Sequence, residues 1–227
     1  MNQTVNVLNV ELDNFTAKDA MKQVTEYMKT EPINTVEIVT ADVLMRASSE
    51  EDFKEMLDQY DMMIAGDDVI LESADVNEKK MQEVKSRLFL RMVIRYFHKN
   101  QVRVYLLANT EEEKEKIEQY FEEERHGIRI MGIAVVPEDD SADDMIINEI
   151  NGMEVDSIIA CLSSPTQEMF IQRCKNALNV KLWLGVGKID TYIAEKTSFK
   201  NAVKEFIEKK VLKRKIEQEK KKQDFDI

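Results

Sequence analysis

Four groups of residues in this 227-residue chain have types and spacings that could do chemistry. Ser164-Pro165-Thr166-Gln167-Glu168 opens a predicted helix directly after an apolar run at 157–162. Serine at N-cap, proline at N1 and glutamine at N3 form a capping box that starts a helix. The same helix start offers free amide N–H groups and a positive dipole end to an anionic ligand. Gln167 and Glu168 would then reach a sugar hydroxyl, and the two uses are compatible. Gly185-Val186-Gly187 follows a second apolar run, at 182–186, and lets the backbone turn tightly or approach a phosphate, although the chain has no GxGxxG. Thr40 closes the apolar stretch TVEIVT, with Asp42 two residues on. Its hydroxyl can bond a ligand or cap the next helix. Gly66-Asp67-Asp68 closes YDMMIA. A carboxylate there can serve as a general base that takes a proton from an attacking hydroxyl, or can simply make a turn.

Other chemistries find little support. His98 and His126 are the only histidines, and neither has a triad or metal partner at motif spacing. Asp139, Asp140, Asp143 and Asp144 lack EF-hand spacing and read as a solvated acidic loop, so no metal site is expected. Cys161 and Cys174 read as packed, reduced thiols without metal-site spacing. The net charge of −12 divides unevenly: from Lys200 onward ten Lys/Arg face six Asp/Glu, a +4 tail on a −16 body. An acidic body argues against nucleic acid, whose phosphates need a basic face. Neither an amino-terminal apolar segment nor a run near membrane-spanning length is present, which makes a cytoplasmic location the expectation.

The elements that must position these groups alternate along the chain. Strands are predicted at 5–10, 35–40, 60–65, 102–107, 128–135, 155–162 and 181–186. Helices are predicted between them, at 16–29 behind the capping box Thr16–Asp19, then at 42–58, 77–99, 111–124, 143–151 and 167–178. Such alternation predicts a Rossmann-like α/β fold: one mostly parallel sheet with helices on both faces. The candidate residues then gather at the carboxyl ends of strands, where open α/β sheets bind ligands. Residues 1–198 read as one domain. Residues 199–227 read as a basic helical appendage whose seam is Phe199, Val203, Phe206, Ile207, Leu212 and Ile216. That seam can pack on its own body, on a partner protein or second copy, or on a bilayer surface.

These pieces, in this order, resemble the WecG/TagA/CpsF family of bacterial glycosyltransferases. IVTAD resembles the family's Val-Thr-x-Asn strand end, LSSPTQEMFI its Gly-x-Pro-Lys-Gln-Glu-x-Trp-Ile, and LWLGVGKID its Ile-Gly-Val-Gly-Gly-x-Phe-Asp. Thr40, Pro165, Gln167, Glu168, Gly185 and Gly187 match; Asp42 stands for the asparagine. Other positions depart. Gly66 falls where the family has its Pro-Asp-Gly aspartate, so the nearest carboxylate, Asp67, is shifted by one. Ala108-Asn109 replaces a diglycine, and Lys188 a glycine. The resemblance implies metal-independent transfer of an N-acetylmannosamine-type sugar from a UDP-sugar donor to a lipid-linked saccharide of cell-envelope or capsule synthesis. Asp67 would be the base and Thr40 would position the acceptor. The region from Pro165 to Gly187, with Asp42, would hold the substrates. The helix at 199–222 would bring the site to the inner face of the membrane. The departures motivate an alternative: an inactive relative that binds a sugar nucleotide or a partner enzyme as a regulatory or scaffold subunit.

Overall fold

The computed structural model describes residues 4–66, 70, 88–123, 127–188, 211–212 and 214–218. The chain opens with strands β1 (Thr4–Val7) and β2 (Val10–Asp13), then helix α1 (Ala17–Tyr27), β3 (Asn34–Val39), α2 (Ala41–Ala47), α3 (Glu51–Leu57) and β4 (Met62–Ala65). It continues through α4 (Leu88–Lys99), β5 (Arg103–Ala108), α5 (Glu111–Glu123), β6 (Arg129–Val135), α6 (Asp143–Gly152), β7 (Ser157–Cys161), α7 (Thr166–Cys174) and β8 (Leu182–Gly185). Six of these strands form one sheet in the order β4-β3-β8-β7-β5-β6, and every pairing in it is parallel. The Rossmann-like α/β class expected from the alternation is therefore what the chain adopts. The sheet grows outward from β3 to β4, crosses to β5 and β6, and returns through β7 to β8, which closes against β3. Segments far apart in sequence thus meet at its centre.

Alternation along the strands divides the core. Val36, Ile38, Ile64, Ile159, Leu182 and Leu184 point to the face covered by α1, α4 and α5. On the other face, Val39, Met63 and Ala65 pack under α2, α3 and the β1–β2 hairpin, while Tyr105, Ile158, Ala160 and Trp183 pack under α6 and α7. These two apolar clusters flank β3, and Thr35 and Glu37 lie on that face between them. Strands covered on both sides ordinarily read as unbroken apolar runs. A fully buried glutamate inside TVEIVT is the exception.

Three expectations change. The strand predicted at 5–10 is split into an antiparallel hairpin outside the parallel sheet, β1 and β2 joined by Leu8 and Asn9, which both take positive φ and turn the chain back. The helix expected over 42–58 breaks at Ser48-Ser49-Glu50, where both serine hydroxyls bond the Met45 carbonyl, an alternative to continuing the helical ladder. Asp143 is not part of a solvated loop; it starts α6, is buried, and accepts two bonds from Arg173 on α7 (2.6 and 3.1 Å). The capping box at Thr16–Asp19 forms as expected, and both cysteines are free and buried. Of the carboxyl-terminal seam, Leu212 and Ile216 join the apolar cluster of α2, α3 and the β1–β2 hairpin, and Lys215 reaches Ser48 Oγ at 3.2 Å. Phe199, Val203, Phe206 and Ile207, and the boundary at 198, lie outside the described residues. Among those residues no helix is long and apolar enough to cross a membrane.

Candidate functional site at the carboxyl edge of the sheet

β3 and β8 run side by side with Glu37 opposite Gly185, so their carboxyl ends deliver Thr40 and Gly187 to the same edge. A Cβ built on Gly187 would lie 4.0 Å from Thr40 Cγ2, and Gly187 sits at φ +70°, where glycine is favoured. Thr40 is the N-cap of α2, yet its side chain makes no capping bond. Asp42 is exposed in the first turn of α2, a favourable place for a carboxylate near the helix dipole, and does not join the buried groups described next.

α7 brings the third component. Phe170 stacks on Trp183 of β8, ring centroids 5.9 Å apart, which lays the helix start over the sheet. The structure shifts this helix by one residue from the predicted capping box. Pro165 is the N-cap and Thr166 the first helical residue, so Gln167 is at N2, and its side chain leaves the helix. Its Oε1 accepts the Gly187 amide N–H at 3.2 Å, and its Nε2 donates to Glu37 Oε1 at 2.5 Å. Gln167 therefore bridges α7, β8 and β3 instead of capping α7. Gly185 is the residue that permits this: a Cβ there would overlap Glu37 Oε2 and the Gln167 amide.

Glu37 and Glu168 are both buried carboxyls, 0% and 1% exposed. Burial, then repulsion from Glu168, pushes Glu37 well above the usual carboxylate range, against the pull of Gln167 and Tyr60. Glu168 is pushed up to about 7, chiefly by burial; its own amide, Ser164 and Arg46 pull it down. Neither Glu168 oxygen, nor Ser164 Oγ, Tyr60 Oη or Trp183 Nε1, has a hydrogen bond of good geometry, so these influences act through proximity. Between pH 4.5, where the unfolded glutamate ionises, and about 7, the folded chain keeps a proton that the unfolded chain has lost. The resulting stability is full below the lower value and disappears as pH rises through the upper one. For one group this amounts to about 3 kcal/mol, and Glu37 acts in the same direction. Denaturant titrations are thus expected to show stability falling between about pH 5 and pH 8, with Glu168→Gln flattening the slope. An unchanged slope in that variant would contradict the assignment.

Farther along the edge, Asn109 Oδ1 accepts the Ser163 amide N–H at 2.6 Å, tying the end of β5 to the loop after β7. The Asn109 amide itself donates to Glu113 Oε2 at 3.1 Å. The expected side chain in place of a diglycine is present, and it is engaged within the protein. Val186 N–H is likewise satisfied, by Ala160 O at 2.9 Å. Beside β3, Gly66 N–H bonds Val39 O at 2.7 Å and brings the end of β4 next to Thr40. Asp67, Asp68, Asp190 and His126 lie outside the described residues. The structure thus gathers Thr40, Gln167, Gly185 and Gly187, with Pro165 and Glu168 at the same helix start.

Glu37, Tyr60 and Trp183 were missed as members of this cluster. The available signal was one glutamate in an otherwise apolar strand of a parallel sheet. A search among curated proteins returns no match. A model of the glycosyl transferase WecG/TagA/CpsF family matches residues 5–200, which hold the whole parallel sheet and Thr40, Gln167 and Gly187, and the chain belongs to that family.

Proposed function

We propose that this chain transfers a hexosyl group from a UDP-sugar to a lipid-linked acceptor in cell-envelope polysaccharide synthesis. The observation that carries the reading is the convergence of Thr40, Gln167 and Gly187 where β3 and β8 end side by side, the place where open α/β sheets bind ligands. The acceptor oxygen attacks the anomeric carbon as the bond from that carbon to the UDP oxygen breaks, and UDP leaves. Asp67 takes the acceptor proton, and Thr40 orients the hydroxyl that carries it. Gln167, Glu168, Pro165, Gly185, Gly187 and Asp42 form or border the donor site. The reading needs no metal or other cofactor. Contact with the membrane is assigned to 199–222, of which Leu212 and Ile216 join the apolar cluster of α2, α3 and the β1–β2 hairpin.

A second reading rests on a specific observation. The Gly187, Val186 and Ser163 amides, donors that a diphosphate could use, are all satisfied inside the protein. A chain so closed could bind a sugar nucleotide or a partner enzyme without turning over, as a regulatory or scaffold subunit. Two measurements on the purified protein separate the readings. UDP at a hundred times its Kd should raise the melting temperature by roughly 5–10 °C, the consequence of about 2.7 kcal/mol of linkage. Release of UDP from UDP-N-acetylmannosamine in the presence of a lipid-linked acceptor should accompany it. A shift without release favours the second reading in its sugar-nucleotide form, and the absence of both signals removes transfer and sugar-nucleotide binding together.

A further inference from the structure

Gln167 stands between two partners whose hydrogen-bonding roles differ. The Gly187 N–H can only donate, so the Gln167 atom facing it must be Oε1. The atom on the other side is then Nε2, a donor, and the Glu37 oxygen it meets at 2.5 Å must accept. The direction of the whole chain, from Gly187 through Gln167 to Glu37, is thereby fixed. Without an acceptor at position 37 the Gln167 amide would leave a buried N–H unpaired, and rotation away from Gly187 would become its cheapest relief.

The surroundings are built for the pair. Gly185 leaves the space that Glu37 Oε2 and the Gln167 amide fill. Position 37 faces Gly185 across the β3–β8 ladder, so the contact follows from strand register and not from a mobile loop. Glu37 does not reach the outer edge of the sheet; Thr40, three residues on, does. Its influence on the edge therefore passes through Gln167.

We propose that Glu37 is a positioning residue: by accepting from Gln167 Nε2 it holds Gln167 Oε1 on the Gly187 amide and so fixes the β8 turn beside Thr40. Its consequence for ligand rests on the donor-site reading above; its consequence for Gly187 does not. Glu37→Met removes the acceptor at similar volume, and Glu37→Gln restores an oxygen that can accept. Amide exchange at Gly187, followed by NMR at one pH, is expected to speed up about tenfold or more in Glu37→Met and to return close to the parent rate in Glu37→Gln. The Gln167 side-chain NH2 resonances should move in the first variant and recover in the second. UDP affinity should weaken by about tenfold in Glu37→Met and recover to within about threefold in Glu37→Gln. If Glu37→Met does not fold, Glu37→Asp replaces it, because the shorter side chain withdraws the acceptor while keeping the acid. Unchanged Gly187 exchange in the folded acceptor-withdrawing variant would overturn the proposal. Failure of the parent protein to bind UDP would remove the donor-site reading, and the exchange measurement would still decide the role of Glu37.

Discussion

Asp67→Asn is expected to lower hexosyl transfer by about 10²- to 10⁴-fold, the range a positioned general base contributes, while UDP binding changes little. Gly66 directly follows β4 and directly precedes Asp67 in the chain. A Cβ built there would overlap Ile38 Cγ2, which lies in the core, and would approach the Val39 carbonyl oxygen to 3.1 Å. The Gly66 amide is also bonded to that carbonyl at 2.7 Å, which holds the backbone in place. An aspartate at position 66 would thus force β3 and β4 apart. On the transfer reading proposed above, the base is then assigned to Asp67, the first carboxylate after Gly66. Asparagine keeps its size and cannot take the proton at neutral pH, so loss of rate with retained UDP affinity isolates the proton transfer. Asp68→Asn is the control, expected to leave the rate within about threefold, below the effect of a general base. A rate lost equally in both variants, or in neither, would remove Asp67 from that role.

The fold was legible because a parallel sheet writes itself as apolar runs separated by amphipathic helices. That signal specifies faces and layers, and from them the edge where Thr40, Gln167 and Gly187 meet. It does not specify partners. The hairpin went unseen because Leu8 and Asn9, which turn at positive φ, lack the glycine that usually marks such a turn. Gln167 shows the same limit at the site. Ser164-Pro165-Thr166-Gln167 has the local composition of a capping box, and a local rule assigned the glutamine a local partner. Its actual partner, Glu37, lies 130 residues earlier. The two meet because β8 closes the sheet against β3, a crossover that no short window of sequence contains. Glu37 carried a visible anomaly, a charge inside a doubly covered strand, but the anomaly acquires meaning only beside Gly185 and Gln167.

Gln167→Leu is expected to cost about 1–3 kcal/mol in stability near neutral pH, because it strands a buried carboxyl group whose partner has been removed. Leucine fills most of the volume, so the loss is one of hydrogen bonding more than of packing. Glu37 Oε1 loses its donor, Oε2 already has no partner of good geometry, and the Gly187 N–H loses its acceptor. Only Gly187 is open enough for water to compensate. The cost should shrink as pH falls and Glu37 and Glu168 hold their protons more fully, since a neutral acid is easier to bury than an anion. The pairing is tested by the double variant. Replacing both members with apolar residues of similar size, Glu37→Met with Gln167→Leu, removes the stranded group together with its partner, an exchange that can be nearly neutral. The double variant should therefore be more stable than Gln167→Leu alone by about 2 kcal/mol, read from denaturant midpoints at constant slope. Simple additivity would mean that the two side chains only pack together. A positive coupling of that size with UDP binding lost would separate what the pair does for the fold from what it does for the pocket: stability would be recovered by two apolar residues, and the orientation of Gly187 would not.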